Sequence, residues 1–312
     1  MNKHVNKAVL QSIYGHIEEF ERSRRRVLSS IFPILADPIV FGRQMVRVLL
    51  NIFQLGFGLS KDSYFKCVTA RHSSVLVRKL GDSDNRLQIN KIKNLAVAIK
   101  YLDGLVIKPG QTFSLWKAIG KPTYKRGYVD GMLLSNGKVV EGVGGGLCQM
   151  ANFLHWIFLH ADISVVERHH HSVDVFPDSG RVLPFGSGAT VFFNYIDLKI
   201  KNISNHPLQI KLWLTDTHLK GQILSTEKCA KKFHVYEQNH CFINRGGKYY
   251  RFNEIWRETL VEGQSVEKNK VVQNFAPVAY KVDEKILRQF GYEILDVADT
   301  NIQELAVAGI VA

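Results

Sequence analysis

The sequence predicts an α+β fold, and three observations carry that prediction. Helical periodicity is concentrated before residue 102 and strand-like alternation after residue 190, while between them a glycine cluster delivers one more apolar helix, which begins near Cys148. The expected architecture is a helical, basic N-terminal region followed by a mixed core. In that core the Cys-bearing helix packs on a mostly antiparallel sheet. The domains expected are residues 1–60 (basic and helical), 61–225 (core) and 226–312 (β-rich extension).

In chain order, residues 4–29 read as a charged helix with Arg22, Arg24, Arg25 and Arg26 clustered. Residues 39–59 give a second helical pattern, with Arg43 and Arg47 opposed to Val46, Leu49, Leu50, Phe53 and Phe57. A basic amphipathic helix of this kind either packs on its own domain or lies on an anionic membrane surface, so peripheral membrane contact is one expectation. Residues 63–80 alternate as strands, and Asn90 to Leu102 carries an apolar helical stripe. Ser135-Asn136-Gly137-Lys138 reads as a hairpin turn and Ile163 to Val166 as a strand. Thr190 to Ile200 and Leu208 to Thr215 read as partner strands, with further strands at residues 221–226 and 233–238. A hairpin is expected around Gly246-Gly247, and a short helix near Lys285 to Phe290.

Composition narrows the classes. The chain has 312 residues and a formal net charge of +13, which favours acidic partners such as anionic lipid or anionic cell-wall precursors. Nucleic acid is not expected as the partner. The four cysteines (Cys67, Cys148, Cys229 and Cys241) are too irregular for a disulfide framework. The longest apolar stretch, Val48 to Leu59, is interrupted by Asn51 and Gln54 and is too short to span a bilayer. With no signal core behind Met1, a cytoplasmic location is expected, peripheral to the inner membrane face if the basic helices bind lipid. Gly142-x-Gly-Gly-Gly is a poor dinucleotide fingerprint, because no acidic residue follows at the needed spacing.

The densest chemistry lies between Gly142 and Ser172. Gly144, Gly145 and Gly146 lead into Cys148 and Gln149 at a helix start, where backbone N–H groups favour a thiolate and would serve an oxyanion. Strand alternation places Glu167, His169 and His171 on one face and Arg168, His170 and Ser172 on the other. The catalytic candidates are therefore Cys148 with His169 or His171, oriented by Glu167 or Asp174. The ligand-binding candidates are Gly144, Gly145, Gly146, Gln149, Arg168 and Ser172, with Arg168 suited to clamp a phosphate or carboxylate. No cofactor is expected. Zinc on His169-x-His171 with Cys148 or Glu167 is the alternative, and a weaker pattern joins Cys229, His234, His240 and Cys241.

The same motifs carry a family resemblance. Val106-Ile107-Lys108-Pro109-Gly110, Gly144-Gly145-Gly146-Leu147-Cys148-Gln149, Glu167-Arg168-His169-His170-His171-Ser172 and Ala189-Thr190-Val191 resemble the VanW family over roughly residues 70–225. The resemblance implies an accessory role linked to glycopeptide resistance and cell-wall metabolism. Relatives often carry Asp before the Ala-Thr-Val motif, where this chain has Gly188. The order of a Gly-x-Cys helix and a His-bearing strand also resembles transglutaminase-like and papain-like enzymes, which implies acyl transfer or amide hydrolysis through a thioester. Three functions stay open: cysteine-dependent chemistry, a non-catalytic module for an anionic precursor or membrane partner, and a zinc enzyme.

Overall fold

The computed structural model describes residues 7–23, 42, 45–46, 58–59, 63–77, 85–135, 138–170, 173–174, 177 and 183–297. Helix α1 spans Lys7–Ser23, and strands β1 and β2 span Gly58–Leu59 and Cys67–Val75. Helix α2 (Asn85–Leu102) leads to β3 (Leu105–Ile107), β4 (Thr112–Ser114) and the short α3 (Leu115–Ile119). The hairpin β5–β6 (Asp130–Ser135 and Lys138–Val143) feeds the Cys-bearing helix α4 (Leu147–Phe158) and then β7 (Ile163–Glu167). After β8 (Lys199–Asn202), β9 (Leu208–Leu214) and β10 (His218–Ser225) come three long strands: β11 (Lys231–Arg245), β12 (Lys248–Val261) and β13 (Gln264–Pro277). Helix α5 (Glu284–Gln289) and β14 (Glu293–Asp296) complete the described chain.

The α+β expectation holds. Among the described residues the strands form sheets ordered β1-β3-β9-β10-β2, β13-β12-β11-β14, β4-β8-β7 and β5-β6. All named pairings are antiparallel except β11 with β14. Helices α2 and α4 bury Leu95, Ala98, Leu102, Met150, Phe153, Leu154 and Ile157 in one core with β9 and β10. At β10, Gly221 lets α4 approach closely, since a Cβ there would come within 2.8 Å of the Phe153 ring.

Several boundaries differ from expectation. Leu208–Leu214 does not pair with residues 190–200; its partners are β10 and β3. The reason is a tight reversal at Phe192–Ile196, with Asn194 at φ 51°, which consumes most of the predicted strand and leaves only β8. Gly58–Leu59, the end of the second predicted helix, pairs with β3 as a strand. Most of that helix, and the basic residues on which the membrane expectation rests, lies outside the described residues. The two predicted segments at residues 233–245 are one strand, kinked where Asn239 takes φ 53° and the register shifts. Helix α1 lays Val9, Ile13 and Ile17 against Cys241, Ile243, Tyr250 and Phe252, so its apolar stripe is covered by β11 and β12.

Candidate functional site

The glycine loop is built for close approach. Gly146 caps α4 in the left-handed region (φ 93°), and a Cβ there would overlap the Lys91 stem. Gly145 packs backbone to backbone on Gly131 of β5, leaving no room for a side chain at either residue. Asn94 of α2 seals the loop, its Nδ2 donating to Gly145 O and Val129 O, both at 2.9 Å. The expected oxyanion donors are partly used internally. Gly144 N–H donates to Val129 O at 3.0 Å and Gly145 N–H to Gly142 O at 3.1 Å. Gln149 likewise directs its Nε2 to Val75 O (2.8 Å) and Ser74 Oγ (3.2 Å).

Cys148 is the second residue of α4. Although the residue retains some exposed surface, its sulfur is enclosed, and its S–H donates to Val191 O at 3.8 Å. Burial pushes the thiol up from its ordinary range, against the smaller opposing effect of that hydrogen bond. The residue's own backbone N–H adds a second, weaker hydrogen bond to the sulfur. Two residues that sequence reasoning missed continue the same helical stripe. Asn152 Oδ1 accepts Ala189 N–H at 2.7 Å, and His155 Nδ1 donates to Ser187 O at 2.7 Å. Positions 148, 152 and 155 share one face of α4, and 187, 189 and 191 alternate along an extended segment, so helix and segment are laced together. The helical spacing of Asn152 and His155 from Cys148 was the available signal. His155 is fully buried, and its Nε2 has no partner among the described residues. Burial, reinforced by the nearby Arg168 charge, holds it at about 3.

The opposite side of that segment is held by the Glu167–His170 run. Arg168 Nε donates to Gly188 O at 2.8 Å, and Nη2 donates to Gly186 O and, at 3.4 Å, to Asn274 Oδ1. Both glycines are required. A Cβ on Gly186 (φ 67°) would overlap the Asn274 amide, and one on Gly188 would overlap the Asn152 amide. Arg168 has no carboxylate partner among the described residues, and burial lowers it to about 10, so it stays cationic at neutral pH. Its Nη1 has no partner among the described residues.

Glu167 and His169 meet as alternation implies, His169 Nε2 lying 3.4 Å from Glu167 Oε1. Glu167 also accepts Asp197 N–H at 3.0 Å and pairs with Lys199 at 3.2 Å. Asp197 itself is buried, taking Ser114 Oγ at 2.6 Å; burial raises its carboxyl and hydrogen bonds partly offset the rise. His171 and Ser172 lie outside the described residues. Asp174 turns toward the long-stranded sheet. It pairs with the fully buried Arg251 at 3.1 Å and accepts Tyr280 OH at 3.1 Å.

Among the described residues, no three His, Cys, Asp or Glu side chains converge to hold a metal. Of the weaker zinc pattern, His240 bonds Glu237 and Arg251 on one face of β11, while its neighbour Cys241 is buried against α1 on the other.

The fold and site define an α+β domain in which a glycine-led helix is laced to a Gly-Ser-Gly segment braced by a half-buried arginine. Residues 90–224 match the family described as VanW like protein. The chain is similar to "Vancomycin B-type resistance protein VanW" of Enterococcus faecalis, 31% identical over 201 residues that cover 64% of this chain and 73% of that protein. It is also 31% identical over 118 residues to "Uncharacterized protein YoaR" of Bacillus subtilis, covering 38% and 37% of the two chains. The chain belongs to the VanW family. No solved structure matches it.

Proposed function

We propose that this chain serves a vancomycin resistance-associated, cell-wall function by binding a carboxylate-bearing precursor, with Arg168 as the receptor. The relative named for vancomycin B-type resistance supports the setting. The observation that carries the binding role is the Arg168 guanidinium. It is half-buried and held by carbonyl groups, but no acid in the described residues balances its charge. Enclosing an uncompensated cation is costly, and a ligand carboxylate at Nη1 would offset that cost through a charge-assisted hydrogen bond. Calorimetric titration with N-acetyl-dialanine, a peptide ending in a free carboxylate, tests this. The acid should bind, its C-terminal amide should bind at least about tenfold more weakly, and Arg168→Gln should abolish the difference. Equal affinity for acid and amide would refute the role of Arg168.

A second reading, a cysteine acyltransferase or hydrolase of transglutaminase-like or papain-like order, is favoured by the place of Cys148 in the first turn of α4. A nucleophile there needs a thiolate, whereas burial holds this sulfur protonated and bonded to Val191 O. Labelling by a thiol reagent separates the two readings. On the binding reading Cys148 reacts far more slowly in the folded chain than in urea, and Cys148→Ser retains ligand affinity. Faster labelling in the folded chain would favour catalysis.

A further inference from the structure

Part of the Arg168 environment comes from outside the residues that match the family. Asn274 lies on β13, beyond the 90–224 match. Its Oδ1 receives Arg168 Nη2 at 3.4 Å, and its amide lies against the α-carbon of Gly186, where no Cβ would fit. Its Nδ2 donates to Asn253 Oδ1 at 2.8 Å and to Phe185 O at 3.3 Å. Asn253 in turn donates to Phe185 O at 2.7 Å and to Glu237. Both asparagines are buried, with 1% and 0% of their surface exposed, so these bonds fix their orientation. The first acid reached along this path is Glu237, two amides away from the guanidinium. That carboxylate is already engaged by His240 at 3.2 Å.

We propose that Asn274 is the specificity-determining positioning residue of the anion site. It orients Arg168 while contributing no charge, so the long-stranded sheet completes a receptor that the family-matched residues only begin. The inference rests on the reading of Arg168 given above. An amide and a carboxylate have nearly the same shape. Of the two, only the amide holds the guanidinium without neutralising it; Asp at this position would form a charge-assisted pair that competes with ligand.

Titration of N-acetyl-dialanine into the wild-type chain, Asn274→Asp, Asn274→Ala and Arg168→Gln tests this, with near-ultraviolet circular dichroism reporting the fold of each. Asn274→Asp should weaken binding by at least about tenfold and flatten its salt dependence, because the site is already neutralised. Asn274→Ala should weaken binding by only about threefold and leave the salt dependence intact, because orientation is lost but charge is not. Wild-type affinity in Asn274→Asp, together with loss in Arg168→Gln, overturns this inference and leaves the binding role standing. Equal losses in the two Asn274 variants reduce the residue to a structural part. If Asn274→Asp does not fold, unchanged affinity in Asn274→Ala overturns the proposal. Absence of binding by the wild-type chain overturns both the inference and the reading beneath it.

Discussion

His155 should make the protein acid-labile well above the range in which carboxylates titrate. Its imidazole is fully buried, uses Nδ1–H on Ser187 O, and is lowered from the ordinary 6.5 to about 3 by burial and then by the Arg168 charge. The unfolded chain exposes an ordinary imidazole that binds a proton near pH 6.5, whereas the folded imidazole refuses it. This contribution to stability is therefore complete above about pH 6.5 and is lost progressively as pH falls towards 3. The slope approaches about 1.4 kcal/mol per pH unit, so roughly 2 kcal/mol disappears by pH 5. His72, lowered to about 4 mainly by burial, adds loss of the same sign. Asp197 acts oppositely, because burial raises its carboxyl and the folded state therefore takes up that proton more readily than the unfolded chain. Urea unfolding at pH 7.5, 6.0 and 5.0, for wild type and His155→Gln, reads the effect. The variant should start less stable, because the Ser187 carbonyl loses its partner, and should show a shallower pH dependence. Parallel pH profiles for the two proteins would refute the assignment.

Four substitutions test the packing. Gly145→Ala drives a Cβ into the Gly131 backbone and should prevent native folding, seen as loss of cooperative urea unfolding. Gly188→Ala forces the Asn152 amide off Ala189 N–H and should cost about 1–3 kcal/mol. Adding Asn152→Gly should remove the overlap, so the double variant should lose less than the two single losses summed. Ile13→Ala opens a cavity under α1 and should cost about 2–5 kcal/mol by chemical denaturation, a loss that an isolated surface helix would not show.

The helix at Cys148 was legible because its apolar stripe and its glycine lead are local signals, and so was the Gly246-Gly247 hairpin. The strand predicted over 190–200 failed because alternation does not reveal the reversal at Asn194, a residue able to adopt φ 51°. Strand β13 was missed because its first seven residues, Gln264 to Lys270, are all exposed and, Val266 apart, polar; pairing with β12 makes them a strand, and hydrophobic patterning does not. For the site, strand alternation put Glu167 beside His169, and the two side chains lie 3.4 Å apart. The sequence offered no sign that Arg168 reaches Asn274, 106 positions away, because such pairing depends on how the sheets dock. Asp174 illustrates the same limit. Only the burial of Arg251 against Phe185 and Phe242 reveals its partner.

The docking of α1 on β11 and β12 bears on how the chain is made. Glu21 and Arg245, 224 positions apart, are joined at 2.9 Å beside the cluster of Val9, Ile13 and Ile17. At ribosomal rates of about 5–20 residues per second, that helix emerges roughly 10–45 s before the strands that cover it. Throughout that interval its greasy stripe is a ready target for a holding chaperone or for a neighbouring nascent chain. Yield on overexpression should therefore depend on how quickly the ribosome reaches β12, a kinetic burden that the finished protein no longer shows.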